Sequence, residues 1–222
     1  MNQLLTANVA TNLYWLGRYL ERIELTLFEI NKAYDKIIDV DKAAGVKLYQ
    51  KFNIDLHYEG VVNFLEEAIF GDHPANLATL MINARENAII ARPNIDPSAF
   101  GEIIDLHTLF QTISTHELLI DYKDIETALS LISEIWGAYE KKGHRKCSDY
   151  FLKLGKLIEE VDFRIRFKKK EEMTNLIVKD INSIFNILDT DLDKKMKKSP
   201  DHSKSKNIIE DLYEKVDTLI VY

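Results

Sequence analysis

The sequence contains almost no cysteine: Cys147 is the only one among its 222 residues. A single cysteine excludes an internal disulfide framework, and it also excludes a zinc site built from several cysteines. Small secreted domains stabilised by disulfides are therefore ruled out as a class. The N-terminal residues, MNQLLTANVATN, have no basic stretch followed by an apolar run, so we expect no secretory signal and a cytoplasmic location.

Residues that interrupt helices are also scarce, with 8 glycines and 4 prolines. Apolar residues recur at helical spacing along nearly the whole chain, and no segment shows sustained alternation of apolar and polar residues. This pattern predicts an all-α protein, a single bundle of about eight or nine helices. The predicted helices are 7–38, 44–56, 60–70, 74–91, 97–115, 123–142, 146–167, 171–188 and 205–221.

The chain is predicted to comprise a helical bundle over residues 1–190, a polar linker over 191–206 and a C-terminal helix over 207–222 that packs on the bundle. The linker is rich in lysine, serine and aspartate, a composition typical of a solvated connection. Its basic run, Lys194–Lys198, leaves open an adaptor role. A second basic run, Arg164–Lys170, is either a solvated helix end or a patch that binds anions.

Positive charge is not in excess, because 29 basic residues face 36 acidic ones and the formal net charge is −7. A nucleic-acid-binding domain is usually basic, so we expect no nucleic acid partner. No stretch approaches the roughly 18 consecutive apolar residues of a transmembrane helix, so we expect no membrane span. Neither a glycine-rich phosphate loop nor a Gly-x-Ser-x-Gly turn is present, and we therefore expect no bound nucleotide cofactor.

The first predicted helix carries an unusual number of polar residues in the segment NLYWLGRYLERIE, residues 12–24. At about 100° per residue, Leu13, Leu16, Leu20, Ile23 and Leu27 form one apolar stripe. On this wheel Glu24 falls inside the apolar arc, and Glu21 lies at its edge. A carboxylate in such a place needs an ionic or hydrogen-bonding partner. Gly17 within a helix suggests close approach by another helix or by a ligand.

The same pattern recurs near residues 148–168, so the helix near residues 10–30 has an echo late in the chain. With the glycines aligned, Gly155 matches Gly17 and Glu159 matches Glu21. Asp162 matches Glu24 at the same offset of 138 residues, since 155 − 17 = 138 and 162 − 24 = 138. We interpret this as an internal pseudo-repeat. The two helices are expected to pack glycine to glycine, which brings their carboxylates together.

A second polar helix, near residues 77–92, carries a stripe of mostly small residues that permits close helix packing. Arg85 and Arg92 are seven residues apart and lie along one edge of that stripe, whereas Glu86 points away from it. Because the planar guanidinium binds a carboxylate through two donors, we expect both arginines to pair with the acids of the repeated helices. The candidate polar or ligand site comprises Arg18, Glu21, Arg22, Glu24, Arg85, Glu86, Arg92, Glu159 and Asp162.

These motifs together resemble the alpha-E family, also catalogued as DUF403, which is named for a predicted helical domain with a characteristic Glu-Arg pair. The resemblance rests on NLYWLGRYLERIE, on NARENAIIAR at 83–92 and on FLKLGKLIEEVD at 151–162, and it covers residues 4–167. The chain departs from the family pattern at Pro93, where Asp is common. It also departs at Glu160, where the second Glu-Arg pair would have Arg.

The resemblance implies a context rather than a reaction. Alpha-E genes tend to neighbour, or be fused to, genes for a circularly permuted ATP-grasp enzyme and for a transglutaminase-like protein. It therefore implies an accessory helical protein that works with ATP-grasp and transglutaminase-like partners in peptide synthesis or modification. The ligand would be a peptide or a small charged molecule, and the Glu/Arg cluster would be structural or would recognise that ligand.

The alternative from the residues themselves is an enzyme that uses Glu21, Glu24, Glu159 and Asp162 for acid/base or metal-assisted chemistry. Helical di-metal sites normally combine carboxylates with a Glu-x-x-His motif. The chain has no such motif beside these acids, and the neighbouring Arg and Lys residues would repel a cation. We therefore predict no metal and no cofactor, and we favour the accessory role.

Overall fold

A computed structural model describes residues 5–115, 120–140, 146–192 and 208–220. The predicted all-α class is confirmed, since the regular structure of these residues is helical. The helices are α1 (Ala7–Asp39), α2 (Ala44–Gln50), α3 (Val61–Phe70), α4 (Leu77–Ala91), α5 (Pro97–Thr115), α6 (Tyr122–Glu140), α7 (Cys147–Arg166), α8 (Glu171–Leu192) and α9 (Ile208–Ile220). Most of the predicted linker, including Lys194–Lys198, lies outside the described residues, and the division into three parts stays a prediction.

The boundaries of α4 and α2 differ from the sequence prediction for local chemical reasons, and α8 continues to Leu192, beyond the predicted end at residue 188. Helix α4 begins at Leu77 rather than at Pro74, because the side chain of Asn76 caps it by accepting a hydrogen bond from the amide of Thr79 at 2.7 Å. Helix α2 ends at Gln50, whereas the apolar pattern predicted helix as far as residue 56. The chain turns at Asn53, which has a φ of 59° in the left-handed region that a helix cannot accommodate.

Helix α1 is the central element of the bundle. It packs chiefly against α7 and α4, and it also contacts α2, α3, α6 and α9. Its apolar stripe is buried as predicted, and the burial continues round the helix onto polar residues. Because neighbours pack on several sides of α1, the polar side chains of Arg18 and Glu21 also lose their contact with water.

Helices α1 and α7 are in very close contact at their glycines. A Cβ atom at Gly17 would overlap the backbone carbonyl oxygen of Leu152, and one at Gly155 would overlap that of Tyr14. Glycine is required at both places because the obstacle is backbone rather than a movable side chain. The predicted glycine-to-glycine packing is therefore correct, while a duplication as its origin stays a prediction.

The remaining helices form the periphery. Small residues of α4, among them Ala84, Ala88 and Ala91, are fully buried and allow the close approach to α1. Helices α5 and α6 pack together, α8 lies on α7, and α9 lies against both α1 and α7. Among the described residues, no helix combines the length and the apolar character needed to cross a lipid bilayer.

Candidate functional site

Two guanidinium groups hold one buried carboxylate where α1 meets α7. The Glu159 side chain, 2% exposed, accepts hydrogen bonds at Oε2 from Arg18 Nε at 2.8 Å and from Arg22 Nη2 at 3.1 Å. Its second oxygen, Oε1, accepts from Arg22 Nε. Arg18 is itself only 5% exposed. We call these three residues the Glu159 cluster; its charges are well matched by charge-assisted hydrogen bonds.

Aromatic rings surround the Arg18 guanidinium on its other sides. It donates to the hydroxyl of Tyr14 at 3.3 Å and to that of Tyr213, from α9, at 3.0 Å. The Trp15 ring lies 5.4 Å away, within the range of a cation–π contact. Burial disfavours the charged form, but Glu159, Tyr14 and Tyr213 together outweigh it, and the pKa of Arg18 is raised above its ordinary value. Arg18 is therefore a permanent buried cation.

The equivalent carboxylate of α1 is held far less well. Glu21 is 4% exposed, and its nearest cation is Lys156 of α7, with Nζ 3.7 Å from Oε2. That oxygen is buried and has no hydrogen-bond partner. Burial raises the pKa of Glu21 to about 8, and Glu24, Glu160 and Glu159 add to the rise, while Lys156 opposes it. Near neutral pH this buried side chain is a neutral carboxylic acid. We call Glu21 and Lys156 the Glu21 pair.

Glu24 lies further along the same side of α1 and meets a different partner. It is only partly buried, and its Oε2 accepts a hydrogen bond from Trp136 Nε1 of α6 at 2.9 Å. The same Trp136 ring lies 4.0 Å from Lys156 Nζ. Trp136 thus connects Glu24 with the Glu21 pair, which fixes α6 against the contact between α1 and α7.

Asp162, which the predicted repeat aligns with Glu24, lies at the rim of the Glu159 cluster. Its Oδ2 is 3.6 Å from Arg22 Nη2 and 3.6 Å from Arg166 Nη2. The structure thus brings six of the predicted site residues together, namely Arg18, Glu21, Arg22, Glu24, Glu159 and Asp162. The helical wheel predicted that Glu24 would be the buried carboxylate of an ion pair, and in the structure that carboxylate is Glu159.

The prediction that Arg85 and Arg92 complete this cluster is wrong. Arg85 Nη1 pairs with Glu86 of the same helix at 2.6 Å, and both side chains are partly exposed, at 35% and 57%. Arg92 is exposed and lies over the Phe100 ring, 4.8 Å from its centre. The face of α4 that packs on α1 consists of its small residues, so both arginines point elsewhere. On α1, Glu21 faces Lys156 of α7 and Glu24 accepts a hydrogen bond from Trp136 of α6 instead.

The residues of the site outside the predicted set include Lys156, Trp136 and Tyr213, each from a helix other than α1. Lys156 had a signal, because it stands at the repeat position of Arg18. Trp136 and Tyr213 had none, since they belong to helices whose docking against α1 no local pattern specifies. Among the described residues, no group of three or more His, Cys, Asp or Glu side chains is arranged to hold a metal ion.

An all-helical bundle centred on an interior Arg/Glu cluster defines the class of this protein. The chain belongs to the Alpha-E family, described as a predicted alpha-helical domain with a conserved ER motif, whose model matches residues 5–186. Glu21-Arg22 is the only consecutive Glu-Arg pair in the sequence, and it lies in the site. Comparisons with curated proteins and with solved structures give no match.

Proposed function

We propose that this protein is a non-catalytic helical module that acts beside an ATP-grasp peptide-ligase-type enzyme and a transglutaminase-like protein in peptide synthesis or modification. The observation that supports a non-catalytic role is the closure of the Glu159 cluster. Its carboxylate accepts from two guanidiniums of the same chain and is 2% exposed. The cluster's strongest interactions therefore join α1 to α7.

The partner class comes from the family and not from the geometry. Alpha-E genes tend to lie beside genes for these two kinds of protein, so a stable complex is the most direct expectation. The experiment is co-expression of the tagged chain with the ATP-grasp protein encoded nearest to its gene. We expect both to elute together on size exclusion at a fixed stoichiometry. Separate elution at micromolar concentration would overturn the proposed partnership.

A second experiment separates a structural cluster from one that recognises a ligand or partner. Arg18→Met combined with Glu159→Leu replaces the buried pair by apolar side chains, a change that is often neutral or stabilising. Arg22, 34% exposed, can then be solvated. We expect the double variant to fold and to retain the partner. A folded variant that loses the partner would show that the charges take part in recognition.

The second candidate is acid/base catalysis, and one observation favours it. Glu21 is a buried carboxylic acid whose pKa is raised to about 8, and such a shift is typical of catalytic acids. The test is Glu21→Gln, which keeps the shape of the neutral acid and removes the proton transfer. A reaction of the reconstituted peptide-forming system that survives in this variant excludes Glu21 as its acid.

A further inference from the structure

A small pocket lies beyond the Glu159 cluster, between the second half of α1, the end of α7 and the turn that leads to α8. Its volume is about 170 Å³. It contains neither Glu21 nor Glu159, so it is separate from the site described above. The basic run that the sequence places at the end of α7 contributes Arg164 and Lys169 to its wall, and α1 contributes Lys32.

Three of the side chains that line the pocket are cationic and two are anionic. Lys32 and Lys169 both reach the same oxygen of Glu29, Oε1, at 3.0 and 3.3 Å. Burial alone would raise the pKa of Glu29, but the two lysines hold it below its ordinary value. One carboxylate oxygen thus serves two ammonium groups, which leaves donors available to a second anion. A carboxylate would complete this arrangement through charge-assisted hydrogen bonds.

Apolar surface lies directly beside these cations. Phe28 is on the rim with 43% of its surface exposed, and Phe163, which is buried, forms part of the floor. An aromatic ring so exposed among charged residues offers area that a ligand can remove from water. A cavity of roughly 150 Å³ accepts a benzene-sized group, so the pocket accommodates one apolar side chain.

The wall that α7 contributes also carries a carboxylate, Glu160, that is only loosely paired. Glu160 Oε1 is 3.6 Å from Arg164 Nη1, which is too long for a hydrogen bond. An ammonium or amide N–H of a ligand can therefore donate to Glu160. Cations, a carboxylate acceptor and apolar surface around one pocket match the groups of an amino-acid residue with a free carboxylate.

We propose that this pocket binds a carboxylate-terminated apolar residue. Two sources share that chemistry: the C-terminal residue of a peptide and a free apolar amino acid. Lys32 and Lys169 bind the carboxylate, Phe28 covers the side chain, and Glu160 accepts from the nitrogen. The site operates without the partner enzyme, so it stands or falls independently of the proposed function.

The test is isothermal titration of the full-length protein with three probes. These are N-acetyl-phenylalanine, free phenylalanine and N-acetyl-phenylalanine amide. We expect saturable binding of at least one carboxylate probe at millimolar concentration or below, and binding at least about tenfold weaker for the amide. Tighter binding of the acetylated acid assigns the site to peptide ends, and tighter binding of phenylalanine assigns it to free amino acids. Equal affinity for the amide, or no saturation by either carboxylate, overturns the proposal.

Two variants test whether the probe binds in this pocket. Lys32→Gln and Phe28→Ala change exposed side chains, so neither should alter the fold, as equal thermal melts would show. We expect each to weaken binding of the carboxylate probe about tenfold. Lys36→Gln, one turn further along α1 and also exposed, is the matched control and should bind as the unchanged protein does. Unchanged binding in both pocket variants would place the ligand elsewhere.

Discussion

Two buried carboxylates occupy matching positions on α1 and α7, yet their surroundings differ. Glu159 is bound by two guanidiniums, whereas Glu21 has one ammonium at 3.7 Å and a buried oxygen without a hydrogen bond. The difference follows from two positions: α7 has Lys156 where α1 has Arg18, and Glu160 where α1 has Arg22. One packing geometry therefore holds a carboxylate paired with two guanidiniums on one side and a neutral acid on the other.

Removing the charge of Glu159 should have the largest effect. Glu159→Gln leaves Arg18 buried without its anion, and breaking a buried pair in this way costs about 3–5 kcal/mol of unfolding free energy. Urea denaturation measures the loss. Glu21→Gln is the matched comparison, with both variants measured at pH 5, near the unfolded pKa of Glu21. Because Gln resembles the neutral acid, we expect a change below about 1 kcal/mol there. Equal losses in the two variants would contradict the distinction between the two carboxylates.

The next largest loss of stability is expected at the glycine contact between α1 and α7. Both carboxylates depend on this contact for their position. Gly17→Ala drives a methyl group into the carbonyl of Leu152, and we expect a loss of about 3 kcal/mol, the upper end for overpacking. The control is Gly137→Ala in α6, where a Cβ meets nothing within 4 Å. That change should stabilise the helix by about 0.5–1 kcal/mol. A Gly17→Ala protein as stable as the control would show that α1 and α7 are not in this contact.

The protonation of Glu21 should appear in the pH dependence of stability. Its folded-state pKa is about 8, above the ordinary value of 4.5, so the folded protein binds the proton more tightly than the unfolded chain. This contribution is complete below pH 4.5 and is lost as the pH rises to 8, with a slope of at most about 1.4 kcal/mol per pH unit. Chemical denaturation at pH 5, 6, 7 and 8 measures it.

Glu21→Gln is the control for that slope, because it cannot titrate. The stability of the variant relative to the unchanged protein should increase from pH 5 to pH 8. A constant difference over this range would show that Glu21 is ionised throughout. Other titrating groups affect both proteins alike, so the difference between the two curves isolates Glu21.

A guanidinium placed beside Glu21 should make its surroundings more like those of Glu159. We expect this change to alter the unfolding free energy less than the preceding ones do. By the repeat offset, Glu160→Arg places a guanidinium beside Glu21 as Arg22 lies beside Glu159. We expect a gain of about 1–2 kcal/mol at pH 8 from the new charged hydrogen bond, reduced by about 0.2–0.5 kcal/mol through repulsion with Arg164. Glu160→Gln removes only the negative charge and should gain less. Equal gains in both variants would show that no new pair forms.

Much of the architecture follows from local patterns. Apolar spacing predicted α1 to within one residue at its end, and Gly17 and Gly155 predicted the contact between α1 and α7. The helix bounds depend on residues that are near one another in sequence. The contact between α1 and α7 depends on glycine, because any side chain at these two positions would overlap the facing backbone. The small residues of α4 likewise predicted a face packed closely against another helix.

The partners of the charged side chains could not be predicted from local patterns in this way. A helical wheel gives the direction of Glu21 and Glu24 but not the helix that lies there, and so it reversed which of them is more deeply buried. Arg85 was assigned to these acids although Glu86, its immediate neighbour, is the partner it reaches. Partner choice among long charged side chains depends on how whole helices dock, which no local pattern records.

The contact between α1 and α7 also has a consequence for how the chain is made. Helix α1 is synthesised first, but its principal neighbour begins 140 residues later, since 147 − 7 = 140. At about 5–20 residues per second, the ribosome needs roughly 7–28 s to supply α7. During that interval the guanidiniums of Arg18 and Arg22 remain hydrated, because the carboxylate of Glu159 has not yet been made. Docking of the two helices is therefore a late, long-range step of folding.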